Sequence, residues 1–405
     1  MERVNKDLIV GMSPQRMARL AQMLGPASQG GIRYFSAPGR IEIGGNHTDH
    51  QHGRVLAAAV DYSMLSAAVP TDGDAVHIES VGFGGFDVEL SDLRPQKADE
   101  GTSKAFVRGV LEYFKNKGYS IGGFSAALDS DVPSGGSMSS SACFSVLIGA
   151  ILNGLFNGGS VTEAELAKAA KYAENNHFGK PCGLMDQMAS ATGGFVFIDF
   201  ADENMPEVRK IDYDFNESGY TLCILNSKGS HASLTDQYAS IPAEMFSVAK
   251  ALGKEYLREV DPETFYSRIG QLRGAVTDRA LMRAMHFFSD DNRAQLEREA
   301  LTRSDIDGFL KLINESGESS QMVLENVSPE DPQNRSLALS IAYAKHLLAG
   351  RGACRVQGGG FAGTAEAFVP NDMVDEFTRN FTALFGENSV MVAGIRRYGA
   401  VEVLD

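Results

Sequence analysis

Cysteine is scarce in this 405-residue chain: Cys143, Cys182, Cys223 and Cys354 are the only four, and no two form a C-x-x-C pair. That scatter excludes a zinc ribbon and a dense disulfide framework, and it fits a reducing compartment, the cytoplasm. Positive charge is also short, with 37 Lys and Arg against 52 Asp and Glu and a formal net charge of −15. A field of that sign repels phosphate backbones and anionic lipid, so neither nucleic acid nor a membrane is expected as a partner. An anionic substrate then needs local compensation from backbone amides, a metal or a few placed cations. Fixed-period repeats and low-complexity tracts are missing. So is an N-terminal apolar signal core, because Glu2, Lys6, Asp7, Arg16 and Arg19 interrupt it. Residues 132–162 hold no Asp, Glu, Lys or Arg, yet Gly135, Gly136, Ser137, Asn153 and Asn157 break the apolar run. A buried loop and helix is expected there rather than a membrane span.

What is present is an ordinary globular composition, 43% hydrophobic and 22% charged, in a chain long enough for two domains. Glycine clusters at 39–45 (GRIEIGG), 134–142 (SGGSMSSSA) and 358–363 (GGGFAG) mark places where backbone is approached closely. Hydrophobic periodicity predicts a strand at 33–37 entering a turn at Pro38-Gly39, and further strands within 55–69. It predicts helices over 103–117 and 162–175, and between them a strand at 124–128, a glycine loop and a buried helix at 142–156. After short strands at 195–200 and 220–225 the chain reads as mostly helical: 242–252, 281–303, 306–319 and 336–348. It closes with strands at 353–357, 365–369 and 389–395 around a helix at 373–385. The acidic, proline-bearing stretch 201–217 suggests a boundary, giving domains 1–205 and 206–405.

Three segments carry candidate chemistry. DVPSGGSMSSSA at 131–142 offers a run of N–H groups before a helix, where orphan amides and the helix dipole favour phosphate; no lysine follows the glycines, so it is not the common P-loop. A Gly/Ser linker capping a buried helix is the plain alternative. SAPGRIEIGGNHTDHQHG at 36–53 packs Arg40, Asn46, His47, Asp49, His50 and His52 together, with His47 and Asp49 able to share one side of an extended segment and bind sugar hydroxyls. Three histidines and an aspartate within six residues also admit a metal-site reading. ENNHFGKPCGLMDQ at 174–187 places Glu174 and Asp186 either side of a Gly/Pro turn, suited to one carboxylate on Mg²⁺ and one facing a hydroxyl, unless both are surface acids.

Four segments in order resemble the galactokinase branch of the GHMP small-molecule kinases. PGRIEIGGNHTDHQHG is similar to P-G-R-x-N-[LI]-I-G-E-H-T-D-Y, VPSGGSMSSSA to V-P-x-G-x-G-L-S-S-S-A, PCGLMDQ to P-C-G-I-M-D-Q, and GGGFAGTAEAFV to G-[AG]-G-F-G-G-x-x-x-A-L-V. The resemblance implies a two-domain α+β GHMP fold of mixed sheets with helices, an active site between the domains, and phosphorylation of galactose at its anomeric hydroxyl by ATP with Mg²⁺. It implies Asp186 and Arg40 as catalytic residues, and Asn46, His47, Asp49, Gly183, Asp186 and Tyr238 (with His231 opening its H-x₆-Y motif) as sugar contacts. Pro133, Gly135, Gly136, Ser137, Ser139, Ser140 and Ser141 match the nucleotide loop, Ser141 and Glu174 the metal positions, and Gly358 to Gly360 a loop behind the site. The expected partners are a small-molecule sugar and ATP, with the chain a monomer or weak homo-oligomer.

The departures bear on the sugar. Asn46 stands where the family has glutamate, Glu42 where it has asparagine, His50 where it has tyrosine and Ser137 where the second loop glycine falls. An amide at a sugar-facing position would lose charge-assisted hydrogen bonding while removing repulsion toward an anionic or substituted sugar. Galacturonate, arabinose or N-acetylgalactosamine are therefore alternative substrates. A non-catalytic sugar and ATP sensor is the alternative of another class.

Overall fold

The computed structural model describes residues 1–25, 31–133, 138–202, 205–229 and 234–404. It separates into two compact units, Met1–Arg40 with Ala58–Gly194 and Arg396–Asp405, and Ile41–Ala57 with Phe195–Ile395. The units interleave in sequence. A single cut at 205/206 would fall inside the antiparallel hairpin of Phe195–Asp199 with Glu207–Ile211, whose strands both belong to the second unit.

The first unit is a mixed sheet covered by helices. Its strands run in the order Arg3–Asn5, Val401–Leu404, Arg33–Gly44, Arg54–Pro70, Phe124–Ser130, Ala75–Ser80, Gly84–Glu89. The first pair and the Phe124–Ser130/Ala75–Ser80 pair are parallel. Strand Arg54–Pro70 is rich in alanine and valine and mostly buried, the pattern of a central strand. Four helices pack together in this unit: Ser103–Asn116, Ser140–Asn157, Glu163–Ala173 and Met185–Thr192. The 18-residue helix Ser140–Asn157 is long and apolar enough to cross a membrane, yet Ala142, Cys143 and every residue from Ser145 to Gly154 are buried in the protein, as expected for a core helix.

The predicted turn at Pro38-Gly39 is instead the middle of a strand that continues to Gly44. Proline removes a ladder donor there, and partners off the sheet supply the remaining bonds. Ser190 Oγ donates to the Pro38 carbonyl at 2.7 Å, and the Arg40 N–H donates to the Met138 carbonyl at 3.0 Å.

The second unit holds an antiparallel sheet ordered Ala353–Val356, Thr364–Pro370, Tyr220–Asn226, Val390–Ala393. Helices Ser336–Leu348 and Val374–Phe385 bury Leu337, Ile341, Phe377 and Phe381 with it. A second core joins helices Thr235–Ala251, Pro262–Leu272 and Asp278–Thr302. The helix expected to start at Pro242 starts at Thr235 and keeps the proline inside. Burial of Leu234, Ile241, Met245 and Val248 in that core outweighs the one lost backbone bond.

Candidate functional site

In the first unit Arg40, Ser139 and Asp186 meet. Arg40 projects from the middle of strand Arg33–Gly44, where its N–H is tied to the Met138 carbonyl, and Asp186 sits in the first turn of helix Met185–Thr192. The guanidinium grips the carboxylate with both prongs: Nε donates to Oδ1 at 2.6 Å and Nη2 to Oδ2. Ser139 Oγ donates to Oδ2 at 2.8 Å. Burial alone would raise the Asp186 pKa. The charge of Arg40, the hydrogen bonds from Arg40 and Ser139, and the charge of Lys180 outweigh it and hold the carboxyl below its ordinary range. The side chain nevertheless keeps 28% of its surface open, so an ionised carboxylate remains reachable.

Beside it lies an oxygen pair. Glu174 opens a π-helical turn after helix Glu163–Ala173, a local irregularity common at functional sites, and is 3% exposed. Its Oε1 accepts from Ser141 Oγ at 3.3 Å, its Oε2 accepts from Gln187 Nε2 at 3.0 Å, and Lys180 Nζ lies 3.8 Å away. A hydroxyl and a carboxylate side by side are hard donors of the kind Mg²⁺ takes alongside phosphate oxygens and water, so these residues fit that ion. Gly183 is exposed just ahead of Met185–Thr192; Pro133 is half-buried, and Ser140 begins its helix. Gly135, Gly136 and Ser137 lie outside the described residues, as does His231.

The second unit gathers Asn46, His47, Tyr238 and the glycines of 358–360. Three successive carbonyls receive three side chains: Gly358 O accepts from Asn46 Nδ2 at 2.7 Å, Gly359 O lies 3.1 Å from His47 Nε2, and Gly360 O accepts from Tyr238 OH at 2.8 Å. Side chains at Gly359 and Gly360 would clash with the Tyr238 ring at 2.8 Å and the Asn326 carbonyl at 2.1 Å. Asp49 and His47 are half-buried in this unit.

Asn46 corrects the expectation of a sugar contact. It is 0% exposed, its Nδ2 also donates to Glu42 Oε1 at 2.8 Å, and its Oδ1 accepts from Asn326 at 2.8 Å and Ser320 at 3.3 Å. Its backbone N–H donates to Asp290 and its carbonyl lies 2.9 Å from His286 Nε2. Every polar group of Asn46 is thus committed inside the protein.

The histidines diverge. His50 has both ring nitrogens buried and without a partner among the described residues, and burial, with His47 and His286 nearby, pushes its pKa down to about 3. His52 stacks on Tyr256 at 3.6 Å. Among the described residues no three His, Cys, Asp or Glu gather as a metal site.

Sequence reasoning missed Gln187, Lys180 and Asn326. The first two lie within the 174–187 segment, where proximity to both acids was a usable signal. Asn326 is 280 residues from Asn46 and left none.

Residues 105–194 match the GHMP kinase N-terminal domain and residues 26–70 the galactokinase galactose-binding signature. A galactokinase of Glaesserella parasuis is 30% identical over 377 residues, 93% of each chain, and one of Actinobacillus pleuropneumoniae serotype 5b is 32% identical over 347 residues, 85% of this chain and 86% of that one. The crystal structure of Lactococcus lactis galactokinase complexed with galactose shares the fold, with a TM-score of 0.79 at 24% identity over 96% of this chain and 99% of that one. A mevalonate kinase shares the fold more distantly, with a TM-score of 0.63 at 14% identity over 89% of this chain and 98% of that one. With its motifs in order, its α+β fold shared and a 30%-identical relative matched almost end to end, the chain belongs to the galactokinase family of GHMP kinases.

Proposed function

We propose that this chain transfers the γ-phosphoryl group of ATP to the anomeric hydroxyl of galactose, giving galactose 1-phosphate, ADP and a proton. The observation that carries this is an ionised, reachable Asp186 clamped by Arg40, beside the Ser141–Glu174 oxygen pair at the head of a helix. A loose phosphoryl transition state needs in-line positioning and neutralisation of charge on the phosphoryl oxygens rather than a covalent intermediate. Asp186 accepts a hydrogen bond from the anomeric hydroxyl and fixes its attacking lone pair, while Arg40 offsets charge that develops on the transferred group. Ser141 and Glu174 are the residues that would hold Mg²⁺, which would supply further charge neutralisation. Pro133 and Ser140 contact the nucleotide; His47, Asp49, Gly183 and Tyr238 contact the sugar. Asn46 has no such role, because its amide is spent on Glu42, Asn326 and the 358 carbonyl. All four cysteines are free, which accords with a cytoplasmic location.

The test is ADP release with ATP and Mg²⁺ over galactose, arabinose, galacturonate and N-acetylgalactosamine. Galactose is expected to give a 1-phosphate most efficiently. Preference for another sugar would move the substrate, and binding of galactose without any ADP release would mark a sensor.

A further inference from the structure

Ser139 stands where a serine usually caps a helix, and it does not cap. An N-cap serine ordinarily has extended backbone and accepts from the amides of the first turn. Ser139 has φ 53° and ψ 67°, in the left-handed region that glycine occupies freely and a side chain does not, and its hydroxyl makes no cap bond. Its carbonyl accepts the first helical bond from the Cys143 N–H at 3.1 Å, so it is the N-cap by backbone alone. The hydroxyl turns to Asp186 Oδ2 instead. The residue before it, Met138, accepts the Arg40 N–H, which ties the same turn to the strand that presents the guanidinium. Strain held at one residue while its side chain serves another is a pattern of functional sites.

We infer that Ser139 is a positioning residue for the phosphoryl transfer: the left-handed turn at 138–139 aims its hydroxyl at Asp186 Oδ2, and with the Arg40 fork this fixes the plane of the carboxylate that receives the sugar hydroxyl. Its place in the serine motif had suggested the nucleotide instead. Among the described residues, Arg40 occupies one lone pair on each oxygen and Ser139 takes the second on Oδ2, which leaves an open acceptor on Oδ1. The sugar hydroxyl therefore approaches from the Oδ1 side. Lys180 also acts on this carboxylate, its positive charge favouring the ionised form, and nearby Cys182, whose pKa burial, Glu174 and Asp186 push up to about 12, stays a neutral thiol.

The inference rests on the proposed galactose kinase activity, and Ser139→Ala and Ser139→Gly test it with readouts that do not all need turnover. Both delete the hydroxyl, but only glycine relaxes the backbone, so Ser139→Gly should melt about 2 °C above Ser139→Ala. In both, the acidic limb of the kcat profile and the titration midpoint of the Asp186 carboxyl carbon, followed by NMR on ¹³C-labelled protein, should move upward together. kcat should fall about tenfold, with KM for ATP changed less than twofold. A raised KM for ATP with the Asp186 midpoint unmoved would return Ser139 to the nucleotide and overturn the inference. So would an unmoved midpoint with both variants melting alike. If the parent protein releases no ADP with galactose, the proposed activity fails, while the carboxyl titration and the melting order still decide what Ser139 holds.

Discussion

In the proposed reaction, Asp186→Asn removes the charge that would face the sugar hydroxyl, and Arg40→Ala removes the clamp on that carboxylate and the nearby cation. Each should lower kcat by about 10²-fold or more while the protein stays folded, since each acts on charge developing in the transition state. Steady-state kinetics with circular dichroism as a fold control checks this, and near-normal turnover in both variants would take the pair out of the reaction. Asn46 behaves differently. Asn46→Glu, the residue of the family motif, places a second buried carboxyl against Glu42 and removes the donor to the 358 carbonyl. It should destabilise the fold by about 3 kcal/mol in urea unfolding rather than retune the sugar. An unchanged midpoint with altered galactose KM would restore Asn46 to the sugar. Glu42 and Asn46 place an acid and an amide in exchanged positions relative to the family pattern, and the hydrogen bond between them explains why neither departure is isolated.

The glycine turn at 358–360 is an element whose backbone, not its side chains, does the organising. Adding a methyl group at Gly359 drives it to 2.8 Å from the Tyr238 ring, closer than carbon atoms approach, so Gly359→Ala should displace the tyrosine. If Tyr238 contacts the sugar, KM for galactose rises about tenfold with KM for ATP unchanged; equal rises in both would mean the turn supports the fold at large. Some elements followed their hydrophobic period closely, while others, such as strands Ala75–Ser80 and Gly84–Glu89 and helix Pro262–Leu272, were not expected from it. Helices Ile306–Ser319 and Ser336–Leu348 match the expected bounds, because apolar residues at helical spacing face one core throughout. The strand through Pro38-Gly39 and the helix through Pro242 did not follow local rules. Their backbone bonds and burial depend on Ser190, Met138 and the core around Met245, which are distant in sequence.

At the scale of the molecule, buried charge sets the pH response. Glu297 and Glu366 are fully buried near Arg355, with Asp290 and Glu42 acting on one or both. Neither carboxyl has a hydrogen-bond partner among the described residues. Desolvation pushes both pKa values well above the ordinary range, with neighbouring carboxylates adding and Arg355 opposing. A folded pKa above the unfolded one means the fold favours the protonated form. This contribution is full below the ordinary carboxyl pKa and is lost as pH rises toward the folded value. Asp186 and Asp290 have depressed values and act oppositely, losing their contribution as the solution becomes acid. Thermal melting from pH 5 to 9 should therefore show a decline on the alkaline side that Glu297→Gln with Glu366→Gln reduces. An identical slope in that double variant would mean both carboxyls are already ionised at neutral pH.

The sequence by itself determined the family, the α+β class, most helices and the identity of Arg40, Glu174 and Asp186 as chemical candidates. These follow from short motifs and local periodicity, which need only neighbours along the chain. Tertiary structure decided what each polar side chain is used for. Asn46 is saturated by Glu42, Ser320, Asn326 and Gly358, and Ser139 turns from capping its helix to holding Asp186. A polar residue of given type can bond a ligand, a backbone group or another side chain at similar free energy. Which of these it meets depends on partners up to 312 residues away, as with Asn46 and Gly358, and a local pattern does not encode them.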